Sequence, residues 1–225
     1  MEEFDWENNI ENKEQKLELA KKIAERVKDG DVIGFGSGTT AYLAAIEIAK
    51  RAKEEKLKIK AIPTSNIIEN LCKKLDIEIT GLDKDKLSWC FDGADEIDKN
   101  NWLIKGMGAA LYKEKLNIKY SNENYILVDE TKFVDKLGMK HPIPIECEST
   151  SINDIKKELM ILGANNVTLR MSNIDKNKPL ITDNGNMILH AWFDNITKNL
   201  ESEIRHIDGV LESGLFIGYN IIVVK

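Results

Sequence analysis

The segment Asp31-Val32-Ile33-Gly34-Phe35-Gly36-Ser37-Gly38-Thr39-Thr40 decides how the rest of the chain is interpreted. Its first half is short and apolar, which is typical of a buried strand. Its second half is rich in glycine and hydroxyl groups and leads into a helical pattern over residues 41–53. A helix start presents unpaired N–H groups, and glycine lets the backbone approach a ligand, so this segment predicts a phosphate site. The predicted phosphate ligands are Ser37, Gly38, Thr39 and Thr40.

Two nucleotide-binding motifs do not fit this segment. A dinucleotide fingerprint starting at Gly34-x-Gly36 requires a third glycine at position 39, which is Thr39. A nucleoside triphosphate loop requires Gly-Lys-Ser/Thr, and this segment lacks it. A plain helix cap at Thr39 or Thr40 stays open and is compatible with phosphate binding.

Short apolar segments alternate with helical patterns on both sides of this loop. The predicted helices cover residues 13–29, 41–53, 67–75 and 109–120, and the predicted strands cover 31–35, 58–62, 77–80, 87–91 and 125–128. Strands that alternate with helices are typical of parallel sheets with helices on both faces. The sequence therefore predicts an α/β fold with a doubly wound, mostly parallel sheet.

A second group of polar residues follows the strand predicted at 87–91. Asp92-Gly93-Ala94-Asp95 comes first, and Lys105-Gly106-Met107-Gly108 then precedes a helix that carries Glu114. Ligands of parallel sheets bind outside the carboxyl ends of the strands, so we expect these groups to converge on a crevice. Two aspartates, a lysine and a glutamate there would stabilise a negatively charged intermediate and move a proton. Taken singly, the aspartates also fit an ordinary turn, and Glu114 also fits a solvated helix position.

Together these segments resemble ribose-5-phosphate isomerases of the A type. That family has an Asp-Gly-Ala-Asp-Glu turn, a Lys-Gly-Gly-Gly-Ala-Ala-Leu segment and a glutamate downstream. The spacings here agree with it, since 105 − 92 = 13 and 114 − 105 = 9. The family also has Gly-Thr-Gly-Ser-Thr where this chain has Gly36 to Thr40, and a lysine that corresponds to Lys132, because 132 − 114 = 18.

The resemblance implies an enzyme that interconverts D-ribose 5-phosphate and D-ribulose 5-phosphate through an enediol(ate), in the non-oxidative pentose phosphate pathway. The reaction needs a base and hydrogen-bond donors, and it requires no cofactor and no metal. Our hypothesis is that Glu114 is the general base, and that Asp92, Asp95 and Lys105 are further catalytic residues. The substrate-binding residues that the resemblance implies are Ser37, Gly38, Thr39, Thr40, Asp92, Gly93, Ala94, Asp95, Lys105, Gly106, Met107, Gly108 and Lys132. Met107 replaces a glycine of the family, and a positive φ there would strain it.

The character of the chain changes near Gly138, where His141-Pro142-Ile143-Pro144-Ile145 holds two of its four prolines. Beyond it we predict helices over 151–162 and 197–204 and a strand over 166–171. A hairpin is predicted between 180–182 and 187–191, because Asn184-Gly185 suits a type I′ turn. These elements predict a small α+β subdomain.

The resemblance implies that the main domain is Rossmann-like and that the subdomain is ferredoxin-like and inserted before the C-terminal strands. We predict a catalytic domain of residues 1–138 and 215–225 and a subdomain of residues 139–214. In this scheme residues 214–216 and 221–224 both return to the main sheet.

Composition narrows the classes of partner. A formal net charge of -6 and a pI near 5.3 over 225 residues argue against nucleic-acid binding. No apolar run reaches the roughly 18 residues of a membrane span, and Met1 to Asn12 is too acidic and polar for a secretory signal, so we expect a cytoplasmic protein. Cys72, Cys90 and Cys147 lack metal-ligand spacing and are expected to be reduced and buried. The resemblance implies a homodimer or homotetramer.

Three other functions are compatible with this fold class. A sugar-phosphate-binding sensory domain would carry a basic helix-turn-helix, which residues 1–31 are too short and too acidic to supply. A related amino-sugar-phosphate deaminase would use its own histidine arrangement, and an acyl-CoA transferase a differently placed glutamate. The histidines, His141, His190 and His206, all lie outside the catalytic motifs.

Overall fold

The computed structural model describes residues 10–225. The helices in this part of the chain are α1 Lys13–Ala24, α2 Thr39–Glu55, α3 Asn66–Lys74, α4 Leu111–Tyr120, α5 Ile152–Ile161 and α6 Leu200–Arg205. The strands are β1 Val32–Phe35, β2 Lys60–Pro63, β3 Glu78–Ile79, β4 Trp89–Gly93, β5 Glu96–Ile97, β6 Leu103–Ile104, β7 Asn124–Leu127, β8 Ile143–Cys147, β9 Ala164–Leu169, β10 Met187–Phe193, β11 Val210–Ser213, β12 Leu215–Phe216 and β13 Ile221–Val224. None of the described helices combines the length and apolar character that a membrane crossing requires.

One compact unit, which we call the parallel-sheet unit, comprises residues 10–94, 113–132 and 219–225 of the described chain. Its six strands lie in the order β13-β7-β4-β1-β2-β3, and every neighbouring pair is parallel. The predicted α/β sheet is therefore confirmed. The central strands β1 and β4 bury Ile33, Phe35 and Phe91 on one face of the sheet and Gly34 and Cys90 on the other.

Helices α1 and α2 pack on this sheet through small and branched side chains. Helix α1 buries Leu19, Ala20 and Ile23, and α2 buries a row of alanines that lets it lie close to its neighbours. Helix α1 ends at Ala24, earlier than the predicted end at residue 29, and the chain reaches β1 through a turn in which Gly30 has a φ of 84°.

The second compact unit, which we call the antiparallel unit, comprises residues 95–112 and 133–218. Its main sheet has the order β11-β8-β10-β9, and all of its strand pairs are antiparallel. With α5 between β8 and β9 and α6 between β10 and β11, the chain order is βαββαβ, which is the ferredoxin-like arrangement. The predicted α+β character of this region is confirmed. Residues 95–112 add a short hairpin of β5 and β6.

Two details of the sequence prediction are wrong. Leu215 and Phe216 form β12, which pairs with β6 and not with the main sheet, so only β13 returns there. Gly214 causes this path, because its N–H donates to the Pro144 carbonyl at 2.7 Å and its carbonyl accepts from Lys105 N at 2.9 Å.

The predicted hairpin at 180–191 is also different. Its first arm makes a single bridge, Ile181 to Met187, and the second arm belongs to β10 between β8 and β9. The connecting turn has a positive φ at Gly185, 82°, and not at Asn184, so it is not of type I′. The predicted domain boundaries at 138/139 and 214/215 stay a prediction.

Candidate active site

The strand order of the parallel sheet predicts a crevice between β1 and β4. From β1 the chain continues to β2 and β3 on one side, whereas β4, β7 and β13 lie on the other side. A reversal of this kind is a topological switch point, and ligands of such sheets bind outside the carboxyl ends of the two strands that flank it. Those strands are β1, which leads into the glycine-rich loop, and β4, which carries Asp92.

The loop after β1 and the carboxylate of Asp92 are in direct contact. Backbone N–H groups of Ser37 and Gly93 donate to Asp92 Oδ1 at 3.1 and 2.8 Å, and Asp92 is only 3% exposed. Asp92 lies within β4, because the strand extends two residues past its predicted end at Phe91. The contact fixes the carboxylate at the end of the strand.

Gly36 is required for this contact. A Cβ atom at position 36 would lie 2.2 Å from the carboxyl carbon of Asp92 and 2.6 Å from its Cα. Because one of these atoms is backbone, a side-chain rotation would not relieve the clash. The glycine therefore allows the loop to pass directly over Asp92.

The hydroxyl of Ser37 belongs to a buried network beneath the loop. Ser37 Oγ lies 2.7 Å from Thr64 Oγ1 and donates to Ser65 Oγ at 2.8 Å. Ser65 is also the N-cap of α3, where its Oγ accepts the Ile68 N–H at 3.4 Å. This network ties the loop after β1 to the loop after β2.

The start of α2 forms the cationic part of the loop. Gly38 is the N-cap with a φ of 106°, which favours glycine, and Thr39 is the first helical residue. Lys16 of α1 donates from Nζ to Thr39 Oγ1 at 2.9 Å. Burial and then the nearby Lys132 ammonium lower the pKa of Lys16, whereas Asp129 opposes that shift. The Lys16 ammonium group therefore adds positive charge to this helix N-terminus, and Lys132 lies near enough to Lys16 to affect its pKa.

Sequence reasoning included Lys132 and missed Lys16. Lys132 ends a short 3-10 turn after β7, and its N–H donates to the Asp129 carbonyl at 3.1 Å. Lys16 is only 8% exposed and precedes the buried Leu19, Ala20 and Ile23 by three, four and seven positions. A lysine in the apolar stripe of a helix was the signal that would have identified it.

Helix α4 carries Glu114 on its buried side. Glu114 is 3% exposed, which excludes the solvated helix position that the sequence left open. Asn117, one turn further on, donates from Nδ2 to the Ile62 carbonyl at 3.0 Å and so attaches α4 to the carboxyl end of β2. Within the parallel-sheet unit, Glu114 and Asp92 are thus both buried carboxylates.

The antiparallel unit holds Asp95 and the Lys105 to Gly108 segment together. Asp95 Oδ2 accepts the Met107 N–H at 3.0 Å, and Asp95 N donates to the Ile104 carbonyl at 2.9 Å. Lys105 is 2% exposed, with Nζ 5.8 Å from the centroid of the Phe216 ring. These contacts fix the segment on which we expect substrate contacts.

The backbone at Met107, which replaces a glycine of the family, is not strained. Positive φ values occur at Gly106, 96°, and at Ala109, 65°, whereas Met107 lies outside that region. Met107 therefore takes an ordinary backbone conformation and contributes its N–H to Asp95. Gly108 is exposed and Ala94 is buried.

The glutamate of the Asp-Gly-Ala-Asp-Glu turn has a structural role. Glu96 is fully buried, and its carboxylate accepts three backbone N–H groups, from Gly138 at 2.7 Å, Lys140 at 2.6 Å and His141 at 2.6 Å. Its oxygens are thus engaged in holding the loop before β8.

Other titratable groups give no competing centre in the described chain. No three His, Cys, Asp or Glu side chains within residues 10–225 are arranged to hold a metal ion. The three cysteines are unbridged and buried, as predicted. Burial, then Arg170 and His141, lowers the pKa of His190 to about 4, so its ring is neutral near pH 7.

Comparison with known proteins identifies the family. Residues 60–225 match the family described as ribose 5-phosphate isomerase A (phosphoriboisomerase A). The ribose-5-phosphate isomerase A of Methanocaldococcus jannaschii is 41% identical over 210 residues, which cover 92% of each chain.

Two solved structures are similar over nearly the whole chain. That of ribose 5-phosphate isomerase A from Methanocaldococcus jannaschii has a TM-score of 0.91 at 38% identity and covers 96% of both chains. A D-ribose-5-phosphate isomerase in complex with phospho-erythronic acid has a TM-score of 0.90 at 37% identity and covers 95% of both chains. This chain belongs to the ribose 5-phosphate isomerase A family.

Proposed function

We propose that this protein interconverts D-ribose 5-phosphate and D-ribulose 5-phosphate. The observation that carries the proposal is the contact between the phosphate loop and Asp92 at the switch point of the sheet, with Ser37 N 3.1 Å from Asp92 Oδ1. It brings an anion-binding helix start and a hydroxyl-binding carboxylate together in one unit. A substrate that carries a phosphate and a polyol chain matches these two chemistries.

The phosphate binds at the start of α2. N–H groups of the first helical turn point out of the helix and carry partial positive charge. Thr39 and Thr40 add hydroxyl donors, and Lys16 and Lys132 add two positive charges near Thr39. Gly38 leaves the approach to these donors open, since no atom lies within 4 Å of the position its Cβ would take.

Glu114 acts as the base on the open-chain sugar. Its carboxylate takes the proton from carbon 2, the electron pair forms the double bond to carbon 1, and the carbonyl oxygen on carbon 1 gains a proton. Return of the first proton to carbon 1 and loss of the proton from the oxygen on carbon 2 gives the ketose.

Asp92, Asp95 and Lys105 orient the substrate and its intermediate. The aspartates accept hydrogen bonds from sugar hydroxyls, with Gly93 and Ala94 forming the backbone between them. Lys105 stabilises the charge that develops on oxygen in the enediolate, and Gly106, Met107 and Gly108 lie against the substrate. Phospho-erythronic acid, which one relative's structure contains, carries a carboxylate and a phosphate on one polyol chain.

We propose further that the protein works in the cytoplasm as a homodimer or homotetramer, in the non-oxidative branch of the pentose phosphate pathway. We retain the division into a catalytic domain of residues 1–138 and 215–225 and a subdomain of residues 139–214 as part of this proposal.

The test is conversion of ribose 5-phosphate to ribulose 5-phosphate by the purified protein in the presence of EDTA. We expect saturable conversion in both directions and competitive inhibition by phospho-erythronic acid. Saturable binding of ribose 5-phosphate without any conversion would contradict the proposal and favour a sensory domain.

A further inference from the structure

A fully buried carboxylate in the antiparallel unit organises a turn that is distant from it in sequence. Glu146 of β8 is 0% exposed, and its Oε1 accepts Thr182 Oγ1 at 2.9 Å, Asn184 Nδ2 at 3.1 Å and Asn186 Nδ2 at 2.9 Å. The turn's own backbone bonds are few, Gly185 N to the Thr182 carbonyl and Thr182 N to the Asn186 carbonyl. Thr182 Oγ1 also accepts the N–H groups of Asn184 and Asn186 at 3.3 and 3.2 Å, so Glu146 holds the turn through Thr182 and through the two asparagine side chains.

Glu146 lies on the face of the four-stranded sheet opposite to the core. Its neighbours in β8, Ile145 and Cys147, pack in the core with α5 and α6. Glu146 pairs directly with Ile188 of β10, so these two side chains lie side by side on the other face. The turn 182–186 leads straight into β10 and thus into Ile188.

The apolar residues that flank this turn pack against the start of α4. Leu180 and Ile188 form a small buried cluster with Leu111, and Ala109 packs against it. Leu111 in turn lies directly on Gly106, where a Cβ would be 2.7 Å from the Leu111 Cβ. Contacts thus run without interruption from Glu146 to the backbone that carries Lys105, all within residues 95–112 and 133–218.

We propose that Glu146 is a positioning residue for Lys105. By fixing the turn 182–186 it sets Leu180 and Ile188, these set Leu111, and Leu111 sets the Gly106 to Ala109 backbone that follows Lys105. Glu146 itself touches no substrate. The inference rests on the proposed function for its catalytic consequence.

The three hydrogen bonds to Glu146 require an acceptor at this position. Thr182, Asn184 and Asn186 all donate to one oxygen, and loss of that oxygen would remove their common partner and leave the buried Thr182 hydroxyl without its acceptor. The turn would then relax, and a displacement of about 1 Å at a positioned catalytic group costs up to 100-fold in rate.

The test compares Glu146→Ala with Glu146→Gln and with Leu159→Ala. Gln keeps the acceptor oxygen, and Leu159 is a core residue on the opposite face of the same sheet. We expect Glu146→Ala to lower kcat by about 10- to 100-fold at a temperature where every variant is folded. Glu146→Gln should restore kcat to within about threefold of wild type, and Leu159→Ala should lower Tm with kcat unchanged. Equal kcat in Glu146→Ala and Leu159→Ala would overturn the proposal.

A double-mutant cycle identifies the residue through which Glu146 acts. If it acts through Lys105, the Glu146→Ala substitution should cost little more in a Lys105→Ala background. Full additivity of the two losses would overturn the proposal. Should Glu146→Ala not fold, Asn186→Ala removes one of the three donors to Glu146 and takes its place in the cycle. An unchanged kcat in Lys105→Ala alone would instead contradict the proposed role of Lys105.

An activity-independent measurement separates the two proposals. Amide hydrogen exchange at residues 105–109 should be faster in Glu146→Ala than in wild type or Leu159→Ala. Faster exchange in a protein without isomerase activity would keep the structural link and reject the function. Unchanged exchange would reject the link itself.

Discussion

The two units of this molecule place their functional groups in different ways. The parallel-sheet unit uses the ends of neighbouring strands, so Ser37 after β1 meets Asp92 at the end of β4 because those strands are paired. The antiparallel unit uses loops held by buried carboxylates from elsewhere in the chain. Glu96 holds residues 138–141, and Glu146 holds the turn 182–186.

The difference teaches where a short motif is sufficient. In the parallel-sheet unit the motif supplies both the ligand groups and the strand that positions them. In the antiparallel unit the motif supplies Asp95, Lys105 and the local bonds between them, but the proposed further support comes from residues 36 or more positions apart, as in the bond between Thr182 and Glu146. Substitutions should therefore act locally in the first unit and through packing in the second.

The largest effect among the supporting residues of the parallel-sheet unit is expected at Gly36. Gly36→Ala places a methyl group 2.2 Å from the Asp92 carboxyl carbon and 2.6 Å from its Cα, so loop and strand must separate. We expect kcat/KM to fall about 100-fold and the free energy of unfolding to fall by about 2 kcal/mol. Steady-state kinetics and urea unfolding would measure both.

Wild-type kinetics in Gly36→Ala would contradict the claim that the parallel-sheet unit places its functional groups through the ends of neighbouring strands. It would mean that the contact between the loop and Asp92 is dispensable, and that strand adjacency alone does not make this site.

A smaller effect is expected at Lys16. Lys16→Met removes the ammonium group that donates to Thr39 Oγ1 while keeping an unbranched side chain of similar length. One charge-assisted bond to a phosphate corresponds to about 2 kcal/mol, so KM for ribose 5-phosphate should rise about 30-fold with little change in kcat.

Lys22→Met is the matched control for Lys16→Met, because Lys22 lies on the same helix and is exposed. We expect it to leave KM unchanged. A similar KM in both variants would place the phosphate away from α1 and away from the loop.

The smallest effect concerns pH and the antiparallel unit. The unfolded chain binds a proton at His190 below about pH 6.5. The folded protein binds it only below about pH 4, because burial, Arg170 and His141 disfavour the imidazolium. Stability should therefore fall as the pH falls through this window, by about 2 kcal/mol for this group.

His190→Gln should remove that part of the pH dependence and leave kcat at pH 7 unchanged. Urea unfolding at intervals between pH 7 and pH 4 would measure it. An identical pH dependence in the variant would show that His190 does not carry this proton linkage.

The sequence was sufficient for what depends on local pattern. Apolar runs and glycine positions predicted the parallel sheet, and local motifs predicted Ser37, Asp92, Asp95, Lys105 and Glu114 as candidates, whereas Lys132 came from the family resemblance alone. Their roles stay predictions. The path of Leu215 and Phe216 was not predictable, because it is set by the bonds of Gly214 to Pro144 and Lys105.

The supporting groups belong to no short motif. Lys16 differs from the other lysines of α1 in sequence only by its place in the apolar stripe, and its bond to Thr39 is known only from the structure. Glu146 follows the segment with two prolines, for which no strand was predicted, and its three partners lie 36, 38 and 40 positions away. Long-range hydrogen bonds leave no short-range periodicity.

The central claim is that Glu114 transfers the proton, and isomerisation in deuterium oxide tests it most directly. Wild type should form ribulose 5-phosphate with deuterium at carbon 1, seen by NMR. Glu114→Gln, folded to the same Tm, should be slower by about 1,000-fold. Glu130→Gln, at an exposed glutamate, should match wild type. A folded Glu114→Gln protein that isomerises and incorporates deuterium at the wild-type rate would contradict the account.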